Sequence, residues 1–218
     1  MKGVFVTFEG TEGSGKSTHA LLLADRLRAA GRTVRVLREP GGTPIGEEIR
    51  QTLKHSLHNR AMTPEAELLL LNASRAQLVR EIIRPALAAG ETVLCDRFYD
   101  STVAYQGYGR QLDLKMVRAV IDFAVGETRP DLTILLMVPL ATSEARRESR
   151  EAGTAPTRDR FEEADRDFFR RVEKGFQFIA ATEPQRVYAV DSTRPLEKVA
   201  AVVWQRVELL LGDLKTPG

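Results

Sequence analysis

One cysteine and one tryptophan stand among 218 residues, aromatic side chains make up only 6%, and 32 basic residues nearly cancel 30 acidic ones, leaving a formal charge of +2. Each scarcity removes a class of protein. A lone thiol, Cys95, cannot close a disulfide within the chain. A cystine-stapled scaffold is therefore excluded, and a reducing cytoplasm is the expected location. Cys95 also sits inside an apolar run and reads as a small packed residue rather than a nucleophile. The balanced charge leaves no electrostatic footprint for nucleic acid, and neither a reading helix nor a basic stripe stands out. No hydrophobic run approaches the roughly 18 residues that suggest a membrane helix, so no membrane partner is expected. Residues 1–9 carry no small-residue cleavage site, and no signal peptide is expected there. His55 and His58, three apart with no third ligand nearby, fit a solvated pair better than a zinc site.

What the chain does have is alternation. Short apolar runs at 3–9 (GVFVTFE), 33–37 (TVRVL), 92–96 (TVLCD), 132–138 (LTILLMV) and 187–190 (VYAV) predict five strands. Helical patterns fall between them. Residues 16–30 place Ala20, Leu23, Ala24 and Leu27 on one face, with Gly31 as the stop. Thr63-Pro64 is an N-cap followed by a first-turn proline, leading into Leu68 to Leu71. Residues 196–211 close the chain as a helix. Strands alternating with helices imply parallel pairing through crossovers. The expectation is one α/β domain over residues 1–218, with a central five-stranded parallel sheet and helices on both faces. Hydrophobic residues at 43% and charged residues at 28% suit such a globular fold.

Residues 10–17, GTEGSGKS, match G-x-x-x-x-G-K-[ST] directly after a predicted strand and at the opening of a predicted helix. Gly10, Gly13 and Gly15 allow the tight bend, with Thr11, Glu12 and Ser14 between them, so that backbone N–H groups converge on an anion. The helix N-terminus, which also holds Thr18, adds positive potential. Lys16 reaches the β and γ phosphates of ATP, and Ser17 holds Mg²⁺. This predicts a P-loop NTPase fold. GTPase switches, partition ATPases and small-molecule kinases all share the motif, so it does not say where the phosphate goes. A second cluster narrows the choice. Asp96 ends the third strand, where P-loop proteins place the carboxylate that holds Mg²⁺ directly or through water. Arg97 beside it is placed to fork onto a second phosphate. The plainer alternative is a surface ion pair at a strand end.

Five stretches together carry a family resemblance: FEGTEGSGKST at 8–18, REPGGT at 38–43, SRAQLV at 74–79, DRFYDSTVAYQG at 96–107 and DRFE at 159–162. The chain resembles the bacterial thymidylate kinases. The resemblance implies transfer of the γ-phosphate of ATP to dTMP, giving dTDP and ADP, by a homodimer. It implies that Arg97 binds the acceptor's 5′-phosphate, that Arg75 reaches the thymine base, and that Ser101 and Thr102 line the base and sugar side beside Tyr105 and Gln106. Glu39 and Pro40 fall close to the monophosphate, and Glu12 takes the position of the family's acceptor-side acid. Leu71 occupies a base-side position where many relatives carry an aromatic.

Arg146, Arg147, Arg150, Arg158 and Arg160 crowd a segment that also holds Gly153 and Pro156, with Glu144, Glu148 and Glu151 interleaved. Helical pairing accounts for the interleaved acids, but not for arginines flanking a Gly/Pro-broken loop. A lid over residues 144–162 that excludes water and delivers an arginine accounts for both. Gly13 stands where one class of the family carries a P-loop arginine. The resemblance therefore assigns the catalytic arginine to the lid, Arg150 first and Arg160 second. The expected chemistry is in-line transfer, with Lys16 and a lid arginine on the transferring group and Arg97 on the acceptor. The alternatives are another nucleoside monophosphate or deoxynucleoside kinase, or a P-loop ATPase switch that acts on a protein partner.

Overall fold

The computed structural model describes residues 3–151 and 166–213, apart from the side chains at 60, 147, 148, 150, 151 and 213. The elements run β1 (Val4–Glu9), α1 (Lys16–Ala29), β2 (Val34–Arg38), α2 (Pro44–His55) and α3 (Pro64–Leu78), which continues through a π-helical stretch, Val79–Ile83, into α4 (Arg84–Ala88). Then come β3 (Thr92–Asp96) and α5 (Tyr99–Thr102), which runs into π-helical Val103–Gly109. The chain ends with α6 (Leu114–Val125), β4 (Leu132–Met137), α7 (Leu140–Glu151), α8 (Arg166–Thr182), β5 (Val187–Asp191) and α9 (Leu196–Asp213). All five strands fall within one residue of the sequence expectation. The structure adds α2, α6 and α8, whose strongly amphipathic sequences carry no unbroken apolar run to announce them.

The sheet order is β2-β3-β1-β4-β5, and every pairing is parallel. β1 is central and buried along its whole length. Its side chains alternate between two cores, as period-two geometry requires. Phe5 joins Val93, Cys95, Leu135, Ile121 and Phe176 on the face covered by α3, α6 and α8. Val4, Val6 and Phe8 join Leu23, Leu27, Leu94, Ile134 and Val203 on the face covered by α1 and α9. Cys95 is fully buried within the first core, as its sequence setting predicts. Helix starts follow local chemistry: Thr43, Thr63 and Asp113 accept from Gly46, Ala66 and Met116 N–H at 3.0, 3.3 and 2.9 Å. Because β1 has neighbours on both sides reached by separate crossovers, a crevice opens at its carboxyl end, where parallel α/β sheets bind ligands.

Candidate active site

The loop leaving β1 forms the first wall. Gly10 has φ +136°, and a Cβ there would collide with the Leu136 carbonyl of β4. Only glycine lets the loop lie this close to the sheet. Gly15, at φ +92°, caps α1, so the first-turn N–H groups face the crevice. Lys16 curls back over the loop, its Nζ donating to Thr11 O at 2.7 Å and Gly10 O at 3.2 Å. Burial, reinforced by the neighbouring Arg97 guanidinium, pushes the Lys16 ammonium down to about 8. The Ser17 hydroxyl donates to the Asp96 carboxylate, joining the helix start to the end of β3. The loop is braced from outside as well. Ser143 Oγ donates to Glu12 O at 2.6 Å, and Ser192 Oγ to Ser14 O at 2.7 Å. Arg146 of α7 reaches Gly13 O at 3.3 Å and Ser192 O at 2.9 Å.

Arg97 forms the hinge of the site. Its backbone is left-handed, φ +69°, a conformation that disfavours a β-carbon by about 1–2 kcal/mol. The carboxylate of Glu9 holds the turn in place, accepting from Phe98 N at 2.7 Å, Ser101 N at 3.2 Å and Ser101 Oγ at 2.5 Å. Burial, with Asp100 nearby, pushes Glu9 up to about 7, against the hydrogen bonds and Arg97. Nη1 of Arg97 donates to Ser101 Oγ at 2.9 Å and to Gly10 O at 3.2 Å, and Nη2 lies 3.3 Å from Glu12 Oε2. Burial opposes its charge, yet Tyr105, Glu12, Asp96 and Glu9 hold the guanidinium firmly protonated. Behind this turn, Arg186 forks onto Asp100 with two 2.8 Å bonds and donates to Thr133 at 2.6 Å. The start of α5 is thus tied to β4 and β5.

The opposite wall is built around Arg75, only 2% exposed. Its Nε donates to Glu39 Oε2 at 2.8 Å, Nη1 to Asn72 Oδ1 at 2.8 Å and Thr102 Oγ1 at 2.9 Å, and Nη2 to Phe98 O at 3.2 Å. Arg75 therefore acts on the crevice mainly through the groups it orients. Glu39 Oε1 is buried and meets no donor among the described residues. Burial raises the pKa of Glu39, while Arg75 opposes the rise. The Glu39–Pro40 peptide is cis, and Pro40 O accepts from Arg50 at 2.8 Å.

These walls enclose one cleft of about 510 Å³. It is lined by Glu12, Gly13, Gly15, Lys16, Ser17 and Thr18 on one side, with Asp96, Arg97, Ser101, Thr102, Tyr105 and Gln106 across the middle and Glu39, Pro40, Leu71 and Arg75 beyond. Gly10, Thr11 and Ser14 support the loop from behind. Arg160 and the side chain of Arg150 lie outside the described residues, as does most of the expected lid. The sequence reading misses Glu9, Arg38, Arg50, Lys54 and Phe169 in or behind this cleft, and it names Arg146 only as one of the lid arginines. Arg50 and Lys54 carry the one retrievable signal, two cations spaced i,i+4 on a helix. Seven Lys or Arg side chains against three acids line the cleft, a balance that selects anionic ligands.

A G-x-x-x-x-G-K-S loop opening α1 at the carboxyl edge of a parallel sheet, joined by Ser17 to Asp96 and flanked by Arg97 in one cation-rich cleft, matches a P-loop nucleotide phosphotransferase of the nucleoside monophosphate kinase class. Comparison with known proteins specifies it further. The thymidylate kinase family model matches residues 8–203, and the chain belongs to that family. It is 48% identical over 201 residues to a thymidylate kinase of Syntrophotalea carbinolica, covering 92% of this chain and 93% of that one. It is 47% identical over 206 residues to one of Deinococcus radiodurans, covering 94% and 97%. The crystal structure of thymidylate kinase from Ehrlichia chaffeensis superposes with a TM-score of 0.76 at 31% identity, covering 95% of this chain and 99% of that one.

Proposed function

We propose that this protein transfers the γ-phosphate of ATP to dTMP, giving dTDP and ADP for dTTP synthesis. The observation that carries this reading is the pair of cations meeting at one carbonyl: Lys16 Nζ and Arg97 Nη1 both donate to Gly10 O at 3.2 Å. Lys16 belongs to the triphosphate side and Arg97 to the monophosphate side, so the two phosphate sites adjoin. An acceptor phosphate oxygen is already anionic near neutral pH, so no strong general base is needed, and catalysis becomes positioning and charge stabilisation. Lys16 stabilises the transferring group, Arg97 aligns the acceptor, and a lid arginine, Arg150 or Arg160, completes the charge.

Mg²⁺ fits the donor set here: a hydroxyl and a carboxylate, both oxygen, already paired and facing the cleft. Magnesium is commonly held by one or two protein oxygens plus phosphate and water. Ser17 would hold it directly and Asp96 indirectly. When bound it would neutralise charge on the β and γ phosphates. Exposed Met116 and Phe123 lie two turns apart on α6, and Leu69 is exposed on the adjoining α3, at 62%, 83% and 58% exposure. An apolar face of this kind supports the homodimer reading. Among the described residues no helix is long and apolar enough to cross a membrane.

The test is ADP formation with ATP and Mg²⁺, measured separately with dTMP, dUMP, AMP, GMP, CMP and no acceptor. Strong turnover with dTMP, weaker with dUMP, is expected. A preference for another monophosphate would keep the kinase and discard the base assignment. Acceptor-independent ADP release would indicate an ATPase switch.

A further inference from the structure

Gln106 is 1% exposed and lines the cleft, yet its amide is committed on the far side: Nε2 donates to Glu67 Oε1 at 2.8 Å. Glu67 is completely buried. Arg110 forks onto it, Nε to Oε1 at 3.1 Å and Nη2 to Oε2 at 3.0 Å. A carboxylate paired in this way is acceptor-only, so the end of Gln106 that meets it must be the NH₂. The two ends of an amide are chemically opposite, so fixing one fixes the other. We infer that Glu67, held by Arg110, is a positioning residue for base selection: it turns the carboxamide oxygen of Gln106 into the cleft, where it accepts from a ring N–H of the acceptor base.

This rests on the dTMP reading and deepens it. Thymine and uracil carry a donor at ring N3, and cytosine carries an acceptor there. A site built around a fixed acceptor loses the hydrogen bond with cytosine and sets two lone pairs against each other. Glu67 lies outside the cleft lining, on the first turn of α3, so it reaches the base through Gln106. The device also explains why a carboxylate is kept at a fully buried position. A neutral amide there would let Gln106 adopt either orientation.

The experiment compares kcat/KM for dTMP, dUMP and dCMP in the wild type and in Glu67→Gln. In the variant, the new amide can accept from Arg110 and either accept from or donate to Gln106, which is then free to invert. The dTMP-to-dCMP ratio is expected to fall at least about tenfold, with dUMP following dTMP and KM for ATP unchanged. A merely structural role would lower all three substrates together and leave the ratio in place, which would overturn the inference. Should Glu67→Gln fail to fold, Gln106→Leu carries the test. It keeps the Glu67–Arg110 pair, it is expected to lose the same discrimination, and an unchanged ratio again overturns the inference. Wild-type enzyme that does not prefer dTMP would overturn the function reading itself. A dTMP-selective wild type with a selective Glu67→Gln would overturn this inference alone.

Discussion

Lys16→Met should make the free protein no less stable while removing most of its activity. Burial and Arg97 lower the Lys16 pKa from 10.5 to about 8. At about 1.4 kcal/mol per pH unit, keeping that ammonium charged at neutral pH costs the free fold about 3–4 kcal/mol. Methionine of similar length removes this cost. It also removes a donor from the Thr11 carbonyl, a loss of about 1 kcal/mol, and a second donor from the Gly10 carbonyl, which Arg97 still meets, a loss of about 1 kcal/mol at most. The difference is about 1–2 kcal/mol in favour of the variant, or roughly 2–8 °C in Tm for a chain of this size. The sign follows from proton counting. Below pH 8 both folded and unfolded wild type hold the proton, and the full cost is present. Between about 8 and 10.5 the unfolded chain binds more protons than the folded one, so this contribution makes wild-type stability climb with pH. The variant lacks that climb, so its advantage should shrink and then reverse as pH rises from 8 to 10.

Activity should move the other way. A preorganised cation aimed at the transferring phosphoryl group is worth about 10²–10³ in kcat, whereas KM for dTMP should stay within about threefold because the proposed mechanism puts Arg97, not Lys16, on the acceptor. Wild-type kcat/KM for ATP, which reports the free enzyme, should fall as pH rises through about 8. The checks are melting curves without ligand across pH 6–10 and steady-state kinetics with each substrate varied. A variant less stable than wild type by more than about 2 kcal/mol at pH 7 would refute the electrostatic reasoning. Turnover within tenfold of wild type would refute the assignment of Lys16 to the transferring group.

Two other substitutions separate binding from architecture. Arg97→Lys keeps the charge but loses the fork that spans Ser101, Gly10 and Glu12. KM for dTMP should rise about 10–100-fold while KM for ATP barely changes, and equal effects on both substrates would contradict the split. Arg186→Met strands the 2%-exposed Asp100 carboxylate, at an expected cost of about 3–5 kcal/mol. Thermal melting checks this, and adding Asp100→Asn should recover part of the loss; no recovery would mean that the two residues are not coupled.

The sequence makes the scaffold legible because the sheet is buried on both faces. Continuous apolar runs such as LTILLM then mark strands directly, and only the ends slip by a residue. Helices that cover the sheet have one apolar face, and α2, with Gly46 and Leu53 as its buried residues, leaves too thin a pattern to read. The motif glycines are readable because their spacing is a backbone requirement: Gly10 and Gly15 take positive φ where the chain bends ahead of Lys16. Glu9, Glu67 and Arg186 were not legible. Each acts across a long sequence separation, 92 residues for Glu9 to Ser101 and 86 for Arg186 to Asp100. A carboxylate at the end of a strand gives no local sign that it will organise another strand's turn.

The free site is electrostatically unfinished, and this follows from its construction. Lys16 and Arg97 converge on the Gly10 carbonyl, and Arg97 is the second cause, after burial, of the lowered Lys16 pKa. Glu39 Oε1 has no donor among the described residues, and the left-handed Arg97 is held by a carboxylate, Glu9, whose own charge is disfavoured by burial. The first of these tensions, the convergence of two cations, weakens when phosphate enters. A triphosphate and a monophosphate bring negative charge to both cations at once, and neither substrate alone relieves both. Such a site gains its strongest interactions only when donor and acceptor are present together, as the phosphates approach each other along the reaction path. Water is small and neutral and relieves neither cation, so the same arrangement that favours transfer gives little help to hydrolysis.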